Sequence, residues 1–274
     1  KVSYFREHVS NPLKICEQLA KLNLVQLSRK NFLEGDEDYA FKMSAKKIFL
    51  NKDQKSASKI LQSALRSKKY SPFLLHGVTG SGKTEIFIEI VKQCIADGKT
   101  AIILLPEISL TPQIAGRFKT VFGDLVALWH SKLNQSQRSW TWKEVCKGTF
   151  KVVIGARSAV FLPVKNLGMI VVDEEQETTF QQEYPAPRYH ARDVALMRAK
   201  KNKCVALLSS ATPSLESYYN YLNGKLQYIS LPLRYGGAVY PDIHLVDMKK
   251  EQRDSGKFSL IFSSLLLEKI EDRL

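Results

Sequence analysis

The stretch 74-LLHGVTGSGKTEIF-87 decides the fold of this chain. Its small residues separate two apolar runs and follow the spacing G-x-x-x-x-G-K-[ST]. The apolar residues before the glycines are typical of a buried strand, and those after Lys83 have helical periodicity. A strand, a glycine-rich loop and a helix in this order predict a phosphate loop, residues 77–84, whose backbone N–H groups surround phosphate oxygens at the positive end of the helix.

The side chains of the phosphate loop predict a bound nucleotide with Mg²⁺. We expect Lys83 to reach the β- and γ-phosphates and the Thr84 hydroxyl to ligate the metal. An unliganded turn between a strand and a helix is the alternative, and the complete pattern in this context argues against it. The other expected phosphate contacts come from Gly77, Gly80, Ser81 and Gly82.

From about residue 50 the chain alternates between apolar, β-branched runs and amphipathic segments of helix length. Runs that are apolar at every position indicate strands buried on both faces, and therefore an α/β fold with a mostly parallel sheet covered by helices. Ligands of such sheets bind beyond the carboxyl ends of the strands, so the informative residues should follow each run directly. The runs are 72–77, 100–106, 125–131, 151–156, 168–174 and 204–212.

Two of these runs end in polar residues that fit a nucleotide site. Asp173 and Glu174 end one run, and adjacent acids repel each other unless a cation lies nearby. We assign Asp173 to Mg²⁺ and Glu174 to the attacking water, with a chance acidic turn as the alternative. Ser210 and Thr212 lie in a Ser-Ala-Thr segment that ends the last predicted core strand. They can bond to the acids and report the phosphate state, although the segment alone is only a helix start.

The overall charge of the chain points to a polyanionic partner. Lys and Arg total 41 against 27 Asp and Glu, a net charge of +14 that favours nucleic acid over the alternative of a generally basic, solvated surface. The four cysteines form no C-x-x-C pair, which argues against a zinc site or a redox motif in this chain. No apolar run can span a bilayer, so we expect a soluble, intracellular protein without a membrane partner.

Residues 1–45 differ in pattern from the rest and predict the end of a winged-helix module. Leu13, Cys16 and Leu19 recur at helical spacing, a short strand-like piece follows at 24–27, and the polar, acidic stretch 34–44 has the composition of a loop or wing. Such modules dock nucleic acids or proteins. We therefore place one domain at 1–45 and a nucleotide-binding lobe at 46–238.

Together these motifs resemble the first motor lobe of superfamily 2 helicases, a RecA-like P-loop NTPase lobe. The segments GVTGSGKTE, LLPEISLTPQ, VVIGARSAVFLP, IVVDEEQ, PRYHARDVALMRA and LSSATPSLES narrow the resemblance to the bacterial primosomal replication-restart helicases. That family implies ATP-driven 3′-to-5′ unwinding at branched or stalled forks, in the cytoplasm and next to the nucleoid. It also implies forked and single-stranded DNA, replication-restart proteins and single-strand-binding proteins as partners.

The resemblance assigns roles to further residues. Gln54 matches a glutamine that recognises adenine; the alternative is an exposed glutamine on a helix. Pro106-Glu107 and 111-TPQ-113, which includes Gln113, match one DNA-contacting segment, and Arg157 with Ser158 match another.

Residues 176–190 match an aromatic-rich loop that senses single-stranded DNA in the family. Because this loop directly follows the acids, it would give a short path from DNA to ATP; a solvated surface loop is the alternative. Aromatic rings supply stacking faces and guanidinium groups supply phosphate contacts. The residues expected to do so are Phe180, Tyr184, Arg188, Tyr189 and Arg192.

The sequence departs from the family pattern in two ways. Gln176 stands where the family has histidine, which puts the link between ATP and the Ser-Ala-Thr segment in doubt, although an amide can also bridge two groups. The family's cysteine-rich zinc module and its second lobe with an arginine finger are not within these residues, and 239–274 resembles the entry into that lobe. We therefore expect these residues alone to bind Mg·ATP weakly and hydrolyse it slowly.

Two other functions remain compatible with the sequence. One is a different superfamily 2 DNA translocase or fork remodeller, against which the segments GARSAVF and RYHARD argue. The other is a non-catalytic DNA-binding module with a residual nucleotide site, whose affinity for DNA would not respond to ATP.

Overall fold

The computed structural model describes residues 12–22, 24–25, 50–107, 112–235, 243–255 and 261–273. Within the N-terminal part, the predicted helix is present as α1 (Pro12–Lys21). Leu24 and Val25 form an exposed bend rather than the strand predicted at 24–27, and no described strand pairs with them. The predicted wing at 34–44 lies outside the described residues.

Seven parallel strands form the central sheet, as the continuous apolar runs predicted. The strands of the structure are β1 (Ser71–Gly77), β2 (Thr100–Leu104), β3 (Val126–Trp129), β4 (Val152–Gly155), β5 (Leu167–Asp173), β6 (Gln181–Gln182), β7 (Tyr189–His190), β8 (Val205–Ser210) and β9 (Gln227–Leu231). The order in the central sheet is β3-β4-β2-β5-β8-β1-β9, and β6 and β7 form a separate two-stranded antiparallel hairpin.

The prediction that the Ser-Ala-Thr segment ends the last core strand is wrong, because β9 follows it and pairs in parallel with β1. As an edge strand, β9 alternates between exposed and buried residues in its second half, with Ile229 and Leu231 turned inward. It therefore lacks the continuous apolar run that marks the interior strands.

Helices cover both faces of the sheet. Successive strand residues point to opposite faces, so Phe73 and Leu75 of β1 pack on one side and Leu74 on the other. The helices of this unit after α1 are α2 (Lys52–Ser67), α3 (Lys83–Ala96), α4 (Pro112–Phe122), α5 (Gln135–Lys147), α6 (Ala191–Asn202) and α7 (Leu215–Leu222). Of these, α2, α3 and α4 pack on the first side of the sheet, and α5 and α6 pack on the second.

The chain divides into two compact units, Lys1–Tyr235 and Gly236–Leu274. The second unit contains α8 (Met248–Ser255) and α9 (Ser264–Glu271), which are joined by a hydrogen bond of 2.7 Å from the Ser264 N–H to Glu251 Oε1. None of the helices in the described ranges is long and apolar enough to cross a bilayer.

Gly155 allows the carboxyl ends of β3 and β4 to meet. A Cβ atom on this residue would lie 2.4 Å from the Trp129 carbonyl oxygen and 2.6 Å from the Ala159 Cβ. The same carbonyl accepts a hydrogen bond of 3.1 Å from the Ala156 N–H. The backbone at this corner therefore has no room for a side chain.

We predict that Gly155→Ala lowers the free energy of unfolding by about 2–3 kcal/mol, the upper part of the usual range for overpacking, because the new methyl group must displace the backbone. Urea unfolding measures the change. Gly224→Ala is the matched control. Gly224 has φ +69°, and a methyl group added there would meet none of the described atoms within 4 Å, so only about 1 kcal/mol of backbone strain is expected. An equal or smaller loss for Gly155→Ala would contradict the crowding.

Candidate functional site

The sheet order brings the predicted nucleotide-binding segments together. β8 lies between β5 and β1, so the segments that follow these three strands meet at one edge of the sheet. Asp173 at the end of β5 is paired in register with Ser209, and His76 near the end of β1 with Ser210. Parallel strand order therefore places the phosphate loop, the acids and the Ser-Ala-Thr segment side by side.

The phosphate loop has the backbone shape that its glycines predict. Gly80 and Gly82 both have φ +80°, a conformation that costs other residues strain, and Gly82 caps α3. Lys83 begins that helix and donates a hydrogen bond of 2.8 Å to the Gly77 carbonyl. A Cβ on Gly77 would lie 2.7 Å from Ser81 Oγ, so the loop folds closely over its own first residue.

Two features of this loop fit a bound phosphate group. Ser81 Oγ is buried and has no hydrogen-bond partner among the described residues, so a phosphate oxygen would supply one. Lys83 is a buried cation at the start of a helix, where anions are also favoured by the helix dipole. Thr84 is the second residue of the same helix and is partly exposed, as a metal-binding hydroxyl must be.

Strand β9 supports the phosphate loop from the side, which the sequence did not predict. The Val78 N–H donates to the Leu231 carbonyl at 3.2 Å, and the Tyr235 N–H donates to the Gly80 carbonyl at 2.8 Å. The segment that leaves β9 is therefore bonded to the loop at two points.

Gln54 lies against the phosphate loop and is fully buried, so the alternative of an exposed helix residue is wrong. Its Nε2 donates to the Ser81 carbonyl at 2.8 Å, and its Oε1 accepts from the Asn51 N–H at 2.8 Å. The second bond belongs to a capping box that starts α2. Both ends of the amide thus contact protein, and recognition of adenine by Gln54 stays a prediction.

The two predicted catalytic acids lie beside the buried lysine. Glu174 Oε1 is 3.9 Å from Lys83 Nζ, and Asp173 accepts a hydrogen bond of 2.9 Å from Ser209 Oγ. Burial, and then the neighbouring charge of Glu174, raises the pKa of Asp173 to about 6, against the opposing effects of Ser209 and Lys83. A divalent cation would relieve this crowding of negative charge.

The residues present fit Mg²⁺ in the way it is usually held with a nucleotide. Mg²⁺ commonly takes one or two protein ligands together with phosphate oxygens and water, rather than a complete protein cage. No group of three or more His, Cys, Asp or Glu in the described ranges could hold a metal by itself.

Gln176 bridges the acids and the Ser-Ala-Thr segment, the link that the loss of the family's histidine had put in doubt. Its Nε2 donates to Glu174 Oε2 at 3.0 Å, and its Oε1 accepts from Ser210 Oγ at 2.6 Å. The Ser210 hydroxyl in turn accepts from the Thr212 N–H at 2.8 Å. A continuous line of contacts therefore runs from Lys83 through Glu174 and Gln176 to Ser210.

The third acid, Glu175, has a structural role that sequence reasoning missed. It is fully buried and accepts hydrogen bonds of 2.8 Å from the Ser214 N–H and from Ser217 Oγ at the start of α7. Arg192 at the start of α6 donates to it at 3.1 Å. Ser214, the N-cap of α7, was the available signal, since such helix starts are natural partners for a carboxylate.

This cluster corrects the prediction that Arg192 contacts DNA phosphate. The side chain is buried and paired with Glu175, and it also donates to Ser214 Oγ at 2.7 Å. Breaking a buried ion pair to reach a ligand is costly, so its role here is to join α6 to the acidic segment.

The predicted aromatic-rich loop is the β6–β7 hairpin, and it requires a second correction. Phe180 is 1% exposed and packs in the core with Ala191 and Ala195, because a 3-10 turn at Thr178–Phe180 directs its ring inward. It has no face for a base. By contrast Tyr184 is 89% exposed.

The remaining residues of the hairpin present polar and aromatic groups to solvent. Arg188 is exposed, and Tyr189 is partly exposed with its ring against Phe161, centroids 5.0 Å apart. Gln182 donates to the Pro185 and Pro187 carbonyls at 2.9 and 3.1 Å, which fixes the turn. A cavity of about 540 Å³ lies along the hairpin. Its lining residues are Gln181, Gln182, Glu183, Arg188, Tyr189 and His190.

Arg157 connects the hairpin to the end of β4. Its Nη1 donates to the Gln181 carbonyl at 2.6 Å, and its guanidinium lies 5.9 Å from the centre of the Tyr189 ring. The neighbouring Ser158 is exposed and accepts a hydrogen bond of 3.0 Å from Trp129 Nε1. The side chain of Gln113 lies outside the described residues, so its DNA contact stays a prediction.

Comparisons with known proteins find relatives of this chain. The sequence model of the DEAD/DEAH box helicase family matches residues 51–220. Replication restart protein PriA of Bacillus subtilis (strain 168) is 44% identical over 225 residues, which are 82% of this chain and 28% of that protein. The protein of the same name from Chlamydia pneumoniae is 40% identical over 264 residues, 96% of this chain and 35% of that protein. The chain thus spans about a third of the length of these relatives.

A solved structure, that of RecG bound to a three-way DNA junction, resembles this chain with a TM-score of 0.57 and 23% sequence identity. The match covers 80% of this chain and 28% of that one. At this identity the likeness establishes a shared fold, and the predicted RecA-like lobe is confirmed.

Because the pKa of Asp173 is raised, we predict that the free energy of unfolding depends on pH. The ordinary pKa of the group is 3.8 and its folded value is about 6, so the folded state binds this proton more tightly. The stability that protonation contributes is present below pH 3.8 and is lost as the pH rises through 6. Asp173→Asn cannot lose a proton and should be more stable than the parent by about 3 kcal/mol at neutral pH.

Urea unfolding in metal-free buffer checks this prediction. The difference in the free energy of unfolding between Asp173→Asn and the parent should vanish near pH 4. Asp124→Asn, at an exposed position, controls for the loss of one negative charge. If Asp173→Asn gave the same gain at acid and neutral pH, the charge on Asp173 would not be the cause.

Proposed function

The chain belongs to the DEAD/DEAH box helicase family, and we propose on that basis that it is the ATP-binding motor lobe of a DNA helicase acting in replication restart. The observation that supports this most is the line of contacts from Lys83 through Glu174 and Gln176 to Ser210. It joins a phosphate-binding lysine to a segment that can move when the phosphate leaves.

Each side chain of the nucleotide site has a separate proposed role. Lys83 and the loop N–H groups bind the phosphates of ATP, and Thr84 with Asp173 would hold Mg²⁺, which neutralises phosphate charge. Glu174 is placed to orient a water molecule and accept its proton, and the Gln176 amide keeps its carboxylate in position. Departure of the γ-phosphate would then change the hydrogen bond between the Glu174 carboxylate and the Gln176 amide.

The hairpin supplies the route by which DNA would affect this site. Tyr184 and Arg188 offer an exposed ring and an exposed cation to a single strand. The hairpin continues directly into α6, whose Arg192 is bonded to Glu175, the neighbour of Glu174. Movement of the hairpin on binding DNA would therefore reach the catalytic acid through one ion pair and one peptide bond.

The activity of the intact protein follows from the similarity to PriA proteins. We propose 3′-to-5′ unwinding of branched or stalled forks, in the cytoplasm beside the nucleoid, with replication-restart and single-strand-binding proteins as partners. Identities of 40–44% to proteins named for replication restart favour this over a general fork remodeller. The net charge of +14 agrees with a DNA ligand.

We predict that Lys83→Ala in the full-length protein lowers ATP hydrolysis and fork unwinding by about 10²–10³-fold, because it removes a charged group from the transferring phosphate. Fork binding without nucleotide should change little. Lys92→Ala, on the exposed side of the same helix, is the matched control. Steady-state ATPase and strand-separation assays on forked DNA measure the effect.

Persistent unwinding by Lys83→Ala would show that the phosphate loop is not the motor site. If the affinity for DNA changed neither on addition of ATP nor on substitution of Lys83, a non-catalytic DNA-binding module would be favoured instead. Substrates with a single 3′ or 5′ tail would determine the polarity.

A further inference from the structure

The carboxyl end of the edge strand β3 carries an aromatic cluster that the nucleotide site does not use. Trp129 and Trp142 have ring centroids 6.3 Å apart at an angle of 52°, and the Arg138 guanidinium lies 6.0 Å from the centre of the Trp129 ring. We call these three residues the tryptophan platform. It lies outside the set of DNA-contacting residues that the sequence predicted.

Local sequence fixes the geometry of the platform. Asn134 and Gln137 form a capping box that starts α5 at Gln135. Arg138 and Trp142 are four residues apart, so they lie on one face of α5 and meet Trp129 at the end of β3. Trp140, between them in sequence, faces the other way and packs edge-on against Phe150 at 5.6 Å. One helix thus directs one tryptophan to the core and another to the surface.

The platform is bonded to the segment predicted to contact DNA. The Trp129 indole N–H donates to Ser158 Oγ at 3.0 Å, and the Trp129 carbonyl accepts from the Ala156 N–H at 3.1 Å. Ser158 is adjacent in sequence to Arg157, which donates to the hairpin carbonyl of Gln181 at 2.6 Å. The platform, the end of β4 and the hairpin therefore form a connected series along one edge of the sheet.

The platform is also well separated from the phosphate loop. Five strand spacings lie between β3 and β1 in the sheet order, which is about 24 Å. A ligand on the platform would therefore contact this edge at a second place, without overlapping the nucleotide.

Exposure and charge identify the chemistry of the ligand. Trp142 is 43% exposed, and Trp129 and Arg138 are partly exposed. The exposed ammonium groups of Lys132 and Lys143 lie on the same strand-end loop and helix. Indole faces with a guanidinium stack on unpaired bases regardless of sequence, and nearby lysines attract the phosphates.

We propose that the tryptophan platform binds unpaired bases of single-stranded DNA, as a second stacking site next to the β6–β7 hairpin. This inference rests on the proposed function, because it assumes that the lobe tracks a DNA strand. The strand would pass from the platform over Ser158 to the exposed hairpin residues Tyr184 and Arg188.

The test uses the full-length protein and fluorescence anisotropy with a labelled oligo-dT strand at fixed, physiological salt. Trp142→Ala should weaken binding by about 5- to 100-fold, the range for loss of one stacked base. Trp142→Phe should retain most of the affinity, since a ring remains. Trp140→Phe is the matched control on the same helix and should bind like the parent.

An abasic strand of equal length separates stacking from charge attraction, since it offers phosphates without bases. The parent and Trp142→Ala should bind it equally, which also shows that the variant is folded. Unchanged oligo-dT binding by Trp142→Ala would overturn the proposal and leave the platform as a surface for a protein. An equal loss for both strands would also overturn it, because stacking would not be the cause. A parent that binds neither strand would overturn the proposed function as well.

Discussion

The rest of the site depends on the close approach of two carboxylates, Asp173 and Glu174, to the buried ammonium group of Lys83. Like charges this close are unfavourable, so the neighbouring groups must position them and a cation must accompany them. Ser209 fixes one acid and Gln176 fixes the other. The parallel order of β5, β8 and β1 brings those groups together at this edge.

The three consecutive acids, residues 173–175, differ in burial and therefore in the roles that they can have. Glu175 is fully buried and satisfied by Arg192, Ser214 and Ser217, whereas Asp173 and Glu174 are partly exposed. The buried acid bonds α6 and α7 to the strand end that carries the two acids proposed to be catalytic. It thereby connects the β6–β7 hairpin, through α6, with the proposed site of ATP hydrolysis.

Much of this arrangement could be predicted because it depends on local pattern. Continuous apolar runs and a glycine spacing are sufficient to predict the phosphate loop and six strands, of which five are interior and one, β3, is an edge. Phe180 and Arg192 could not be predicted, because whether an aromatic or a guanidinium faces solvent depends on what packs against it from distant parts of the chain. Strand β9 was missed because polar residues interrupt its apolar ones, and the Gln176 bridge required knowing where Ser210 lies.

We propose that DNA stimulates ATP hydrolysis only while Gln176 holds the Glu174 carboxylate against Ser210, because Glu174 is the acid that the hairpin reaches through Arg192 and Glu175. DNA-stimulated ATPase of the full-length protein tests this most directly. Gln176→Ala removes a hydrogen bond to a carboxylate, and should lower the fork-stimulated rate by about tenfold or more. Gln176→His, which can bond to both partners, should retain most of that rate. Gln227→Ala, at an exposed position of β9, is the control. Stimulation of Gln176→Ala equal to that of the parent would contradict the account.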